Sequence, residues 1–119
     1  MNGARRSSVK FSVNLTSKYH NHREGGFDSK RERERFAELR LLERAGAISE
    51  LKRQVRFELI PAQYRDGRCV FRSVSYVADF TYKKNGELIV EDSKGFKTPE
   101  YKIKRKLMLW VLGILVIES

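Results

Sequence analysis

Asp79, Asp92 and Lys94 are of the types, and at the spacing, that metal-assisted cleavage of a phosphodiester bond requires. Strand side chains alternate with a period of two, so Asp92 and Lys94 point to one side of a strand. Between the two acids lies Asn85-Gly86, the strongest short signal for a two-residue hairpin turn. If the loop is those two residues, Lys84 pairs with Glu87, and counting outward sets Asp79 opposite Asp92. Magnesium prefers oxygen ligands; it polarises a phosphate and lowers the pKa of a bound water. A lysine beside it neutralises charge that builds up in the transition state. The carbonyl of Ser93, between the two side chains, offers a main-chain oxygen as a further ligand. The alternative is an exposed Asp92–Lys94 ion pair on an edge strand, worth roughly 0–1 kcal/mol. Asp79 sits between Ala78 and Phe80, where an unpaired acid is costly. Glu91 points away from Asp92 and reads as structural or surface.

A fourth acid comes from an upstream helix. Ser29-Lys30-Arg31-Glu32 matches a capping box, with serine at the N-cap and glutamate at N3. Glu32 lies one turn before Phe36 and so shares the inward stripe of Phe36, Leu39 and Leu42. It can cap its own helix or reach a metal; spacing alone favours the cap. Gly46 is the expected helix stop. The alternating charges of residues 31–35 read as a mostly solvated face.

The elements that must position these residues follow in order. Val55, Phe57 and Leu59 alternate with Arg56 and Glu58, which predicts a strand over 55–60 that Pro61 ends. Asp66-Gly67 is a turn signal, and residues 69–83 alternate well enough for one long strand. Residues 87–92 form the next. Thr98-Pro99-Glu100 opens a second helix, with Lys102, Lys104, Arg105 and Lys106 outward and Ile103, Leu107 and Trp110 inward. Gly113 ends it, and a last apolar strand spans 114–117. The order is α-β-β-β-α-β, an α/β fold with a mixed sheet flanked by helices.

The chain has 119 residues, a length that predicts one domain. Its net charge is +10, which favours an anionic partner, nucleic acid before membrane. Cys69 is the single cysteine, which excludes an internal disulfide and a cysteine zinc site and suits a reducing cytoplasm. The apolar run 107–117 is eleven residues, too short for a bilayer, which needs about 20. Residues 1–26 are polar and basic and read as a mobile arm, either a solvated tail or one whose Arg5 and Arg6 seek phosphate; Phe11, Val13 and Leu15 could form a short strand there. His20-Asn21-His22 spells the name of a nuclease class that draws those residues from separated positions, so the tripeptide carries no weight. Few aromatics alternate with the basic residues, so base stacking and an RNA-binding role are poorly supported.

The element order, with an acid in the second strand and acid-x-lysine in the third, resembles the PD-(D/E)XK, restriction-endonuclease-like nucleases. More closely, three strings resemble a family of small phage and prophage proteins filed as domain of unknown function 1064. They are Phe27-Asp28-Ser29-Lys30-x-Glu32, Tyr76-Val77-Ala78-Asp79-Phe80, and Val90-Glu91-Asp92-Ser93-Lys94-Gly95-Phe96-Lys97-Thr98. That family is grouped with those nucleases as endonuclease-like or Holliday-junction-resolvase-like. The likeness spans about residue 18 to the C-terminus, and Ala78 stands where the superfamily name has proline.

The resemblance implies a nuclease-like domain over 27–119, with Asp79, Asp92 and Lys94 as its centre and Glu32 as both cap and helix acid. Asp79, Asp92, Ser93 and Glu32 would hold magnesium, with manganese as a substitute. It also brings in Gln54, similar to a glutamine found just before the first strand of such sequences. The expected activity is magnesium-dependent, structure-selective cleavage of branched DNA in a host cytoplasm. Lys97, Lys102, Lys104 and Lys106 would contact DNA, and a homodimer would make paired cuts. The competing expectation is a basic DNA-binding protein of the same fold that cuts nothing.

Overall fold

The computed structural model describes residues 29–119. The basic arm with Arg5 and Arg6, the strand considered near Phe11, His20-Asn21-His22 and Phe27-Asp28 lie outside the described residues.

Helix α1 (Lys30–Arg44) opens on Ser29, whose hydroxyl accepts the Glu32 N–H. It stops at Ala45, with Gly46 following at φ 82°. Strand β1 (Ser49–Ile60) begins six residues earlier than its apolar alternation predicts. The polar stretch before Val55 is drawn into the sheet by main-chain pairing with the partner strand, Lys52 with Thr81 and Arg53 with Phe80. β1 is an edge strand, so solvent tolerates its polar side chains and the pattern is silent there.

The predicted long strand over 69–83 is two strands. β2 (Gln63–Arg65) and β3 (Arg68–Phe71) make a separate hairpin, and β4 (Val74–Lys84) starts after a break at Arg72-Ser73. Ile60 pairs with Val74, so Pro61 falls opposite Ser73. Proline has no N–H to donate, and the ladder stops there.

β4 turns through Asn85 and Gly86, at φ 53° and 81°, into β5 (Glu87–Asp92). Both turn residues sit in the left-handed region, as the two-residue turn requires. Lys84 pairs with Glu87 and Phe80 with Glu91, the predicted register.

Helix α2 (Pro99–Leu107) is capped by Thr98, whose hydroxyl accepts the Tyr101 N–H. It widens into a π-helical turn over Met108–Leu112 and ends at Gly113, φ 72°. Its inner face is only in part the predicted one, since Leu107 packs against the core as expected. Tyr101 and Met108 are buried, whereas Ile103 and Trp110 are exposed, Trp110 by 85%. Arg105 lies between Tyr101 and Met108 on the buried face and donates to the Val116 carbonyl. The predicted last strand, 114–117, is in fact β6 (Ile117–Glu118), which runs parallel to β5.

The main sheet has the order β1-β4-β5-β6, antiparallel except for the last pair. The fold is α/β with a mixed sheet and two helices, and the inserted hairpin adds two strands to the expected order. One core cluster joins Val55, Phe57, Tyr76, Ala78 and Val90 to Tyr101 and Met108 of the second helical segment. The other joins Phe80 and Tyr82 to Leu39 of α1, with Phe36 packed beside them. Leu42 is exposed, which narrows the stripe expected for α1. Each large apolar side chain so buried stabilises the fold by about 1.5–3 kcal/mol.

Candidate active site

The hairpin register carries Asp79 to Asp92, one step beyond the Phe80–Glu91 pair. The Asp79 N–H donates to Asp92 Oδ1 at 3.0 Å, and the Ser93 N–H donates to Asp79 Oδ2 at 2.9 Å. Each acid is thus held by the other's strand. Asp92 is fully buried and Asp79 nearly so. β5 lies inside the sheet, which overturns the exposed edge-strand pair as an account of Asp92 and Lys94.

Asp92 Oδ2 is buried with no hydrogen-bond partner among the described residues. Burial pushes the Asp92 carboxyl up to about 6; nearby Lys94 and the Asp79 N–H pull the other way. A buried carboxylate with an oxygen to spare suits a cation, since a fully made hydrogen-bond set would leave no ligand. Lys94 Nζ stands 5.2 Å from the centre of the Tyr101 ring, a cation–π position that keeps the ammonium near the acids.

Glu32 is buried at the start of α1. It reaches Asp79 through Gln54, whose Nε2 donates to Glu32 Oε2 at 3.0 Å and to Asp79 Oδ1 at 3.3 Å. Gln54 lies inside β1, not before it, in the left-handed region at φ 52°. That backbone state costs a non-glycine residue about 1 kcal/mol or more, so the surrounding bonds must hold it. Among the described residues, no group of three or more histidine, cysteine, aspartate or glutamate side chains is arranged to hold a metal. The residues fit a cation taken by two carboxylates and completed by water, the usual habit of magnesium. Glu32 sits one amide away from that pair.

Glu91 faces the other way, as alternation predicts, but it is not at the surface. It is fully buried, bound by Arg35 through Nε and, at 3.1 Å, Nη2, and by the Tyr82 hydroxyl at 2.7 Å. Burial raises its carboxyl, and bonds from Arg35, Tyr82 and Ser119 outweigh that and lower it. Burial first and the bond to Glu91 second push the Tyr82 phenol up to about 12, with Arg35 pulling the other way. The alternating charges of α1 are therefore not a solvated face throughout. Glu32 and Arg35 turn inward, and Arg31 donates to the Ser119 carbonyl.

Of the predicted DNA contacts, Lys97, Lys102 and Lys106 border a groove of about 440 Å³ with Tyr101 and Arg105. Lys97 also pairs with Glu118 at 3.6 Å, and Lys104 with Glu100 at 2.8 Å. Sequence reading held Gln54 only through a resemblance and missed Arg35. Gln54 meets Asp79 only once the β1–β4 register is known, and nothing in its neighbourhood marks that register.

This is an α/β protein whose mixed sheet carries two buried acids on its central hairpin, Asp92 accepting the Asp79 N–H and Asp79 accepting the Ser93 N–H. The chain belongs to DUF1064, a family described as proteins of unknown function, whose model matches residues 16–111. No curated protein and no solved structure matches it. Among the described residues, no helix is long and apolar enough to cross a membrane.

Proposed function

We propose that the chain is a magnesium-dependent DNA endonuclease of the PD-(D/E)XK type, of phage or prophage origin, acting on branched DNA in the host cytoplasm. The observation that carries this reading is the buried Asp79–Asp92 pair with an unpartnered carboxylate oxygen. Asp79 and Asp92 hold the cation, with the Ser93 carbonyl as the main-chain ligand, and manganese can substitute. A bound magnesium ion polarises the scissile phosphate and acidifies water. Lys94 stands beside the acids and neutralises charge on the phosphate in the transition state. Gln54 orients Asp79 and ties it to Glu32, which fixes the start of α1 over the site.

Lys97, Lys102, Lys104 and Lys106 supply phosphate contacts, consistent with the net charge of +10, and Arg5 and Arg6 extend that surface. A homodimer makes the paired cuts that a junction needs. Exposed Leu109, Trp110 and Leu115 are the surface for that contact. Sedimentation is expected to give a dimer at micromolar concentration, and a strict monomer would count against it.

The second reading, a basic DNA-binding protein that cuts nothing, draws support from the lack of a three-acid group among the described residues. One assay separates the two. Purified protein is incubated with four-way junction, flap and linear duplex DNA, in magnesium and in EDTA. Cutting is expected in magnesium alone, with preference for the branched substrates. Asp79→Ala and Lys94→Ala are each expected to slow it by about a hundredfold or more. Glu32→Gln retains the cap, so a fall in its rate assigns the carboxylate a role beyond capping. Uncut DNA with wild type, or unchanged cutting by the Asp79 and Lys94 variants, removes the enzyme reading.

A further inference from the structure

The β2–β3 hairpin stands where the long β1–β4 pair ends, and every one of its strand residues is exposed. Tyr64 and Phe71 are 68% and 62% exposed. Such large aromatics are poor choices for a solvated ribbon. An isolated two-stranded hairpin is marginal in water, so these residues do not remain for its own stability.

Its charge is also unusual. Arg65 directly opposes Arg68, and Arg72 follows the second strand. Like charges placed opposite each other destabilise a strand pair. The hairpin's one acid is Asp66 in the turn, and among the described residues none of the three arginines forms an ion pair. A polyanion would relieve this repulsion and a neutral protein surface would not. Aromatic faces beside arginines are also what unpaired bases stack on. The expectation that few exposed aromatics alternate with basic residues meets an exception in Tyr64-Arg65 and Phe71-Arg72.

We propose that the β2–β3 hairpin is a nucleic-acid-binding ribbon, with Arg65, Arg68 and Arg72 on the phosphates and Tyr64 and Phe71 against unstacked bases at a branch point. This rests on the DNA reading of the acidic site and adds a second, separate contact to it. The hairpin joins β4 at Val74, five residues from Asp79. At about 3.4 Å per strand residue that is roughly 17 Å, about five base-pair steps. The ribbon would therefore meet the same DNA arm that is cut.

Fluorescence anisotropy in EDTA, where nothing is cut, tests the ribbon apart from the chemistry. The probes are a four-way junction and a matched linear duplex, over a salt series. Arg65→Ala/Arg68→Ala is expected to weaken junction binding about tenfold or more. It should also reduce the salt slope by about two, since each phosphate contact contributes about 0.9. Tyr64→Ala/Phe71→Ala is expected to weaken the junction more than the duplex. It should also abolish the fluorescence rise of 2-aminopurine placed at the branch. Both double variants change exposed side chains, and unchanged thermal melting confirms that they fold. If both bind like wild type, the ribbon proposal is overturned while the nuclease reading stands. If wild type binds and the ribbon matters but magnesium yields no cutting, the nuclease reading falls and the ribbon survives. Wild type that binds no DNA ends both. A change in self-association with DNA binding intact assigns the hairpin to a protein contact and overturns the proposal.

Discussion

Asp92→Asn is expected to abolish cleavage while making the metal-free protein relatively more stable at alkaline than at acidic pH. The folded Asp92 carboxyl is pushed up to about 6, against 3.8 for an ordinary aspartate. A group raised in this way contributes its full stabilisation below about 4, and loses it as the pH rises through about 6. Two units correspond to about 3 kcal/mol, at about 1.36 kcal/mol per unit. Asparagine keeps an oxygen for the Asp79 N–H and carries no charge to titrate. Urea unfolding of both proteins in EDTA, at pH 4 and pH 8, should show the difference moving by about 3 kcal/mol in the variant's favour. Activity is expected to fall by about a thousandfold, because the variant removes the oxygen left over for a cation. A constant difference across that pH range would mean that Asp92 is not held protonation-sensitive by burial. Retained cleavage would mean that the buried pair is structural.

Arg35→Ala is expected to cost stability heavily, by about 3 kcal/mol. It leaves Glu91 fully buried with the Tyr82 hydroxyl and without its cation. Breaking a buried pair from one side costs about 3–5 kcal/mol, and the partial exposure of Arg35 places the value near the lower end. The effect has a pH signature. Glu91 is lowered from 4.5 in the folded protein, so its contribution is present above that value and fades as the pH falls through the lowered one. The penalty measured by thermal or urea unfolding should therefore be larger at pH 7 than at pH 4. Arg35→Met/Glu91→Met removes both charges and is expected to regain most of the loss. A loss below about 1 kcal/mol in the single variant would show that solvent reaches Glu91 freely.

Much of the central hairpin was legible because short-range chemistry sets it. Asn85-Gly86 permits one turn, that turn permits one register, and the register brings Asp79 to Asp92. The caps at Ser29 and Thr98 and the stop at Gly113 are likewise local, written within four residues of where they act. What sequence could not give depends on distant partners. The first half of β1 is a strand because β4 lies beside it, not because its side chains alternate. The break before β4 needs Pro61 placed opposite Ser73, which is a fact about two strands at once. Arg105, not Ile103 or Trp110, sits on the inner face of α2, because the Val116 carbonyl offers it an acceptor from another element. Gln54 and Arg35 belong with these. Each bonds an acid at least 22 positions away along the chain.

The reciprocal main-chain bonds of Asp79 and Asp92 also bear on the entropy of binding. Each carboxylate is already fixed by the other's strand, that of Asp92 by an N–H of β4 and that of Asp79 by the N–H just past β5. Immobilising a free side chain costs about 0.5–1.5 kcal/mol. These two have met that cost on folding, so on the proposed reading a cation would meet preorganised oxygens. Lys94 is different, since a four-carbon stem joins its ammonium to the backbone and a single ring steadies it. The site thus pairs a half fixed by main-chain bonds with one held by a single ring contact. On the nuclease reading, rigid anions would set where a cation sits, and the lysine would follow a phosphate as its charge moves.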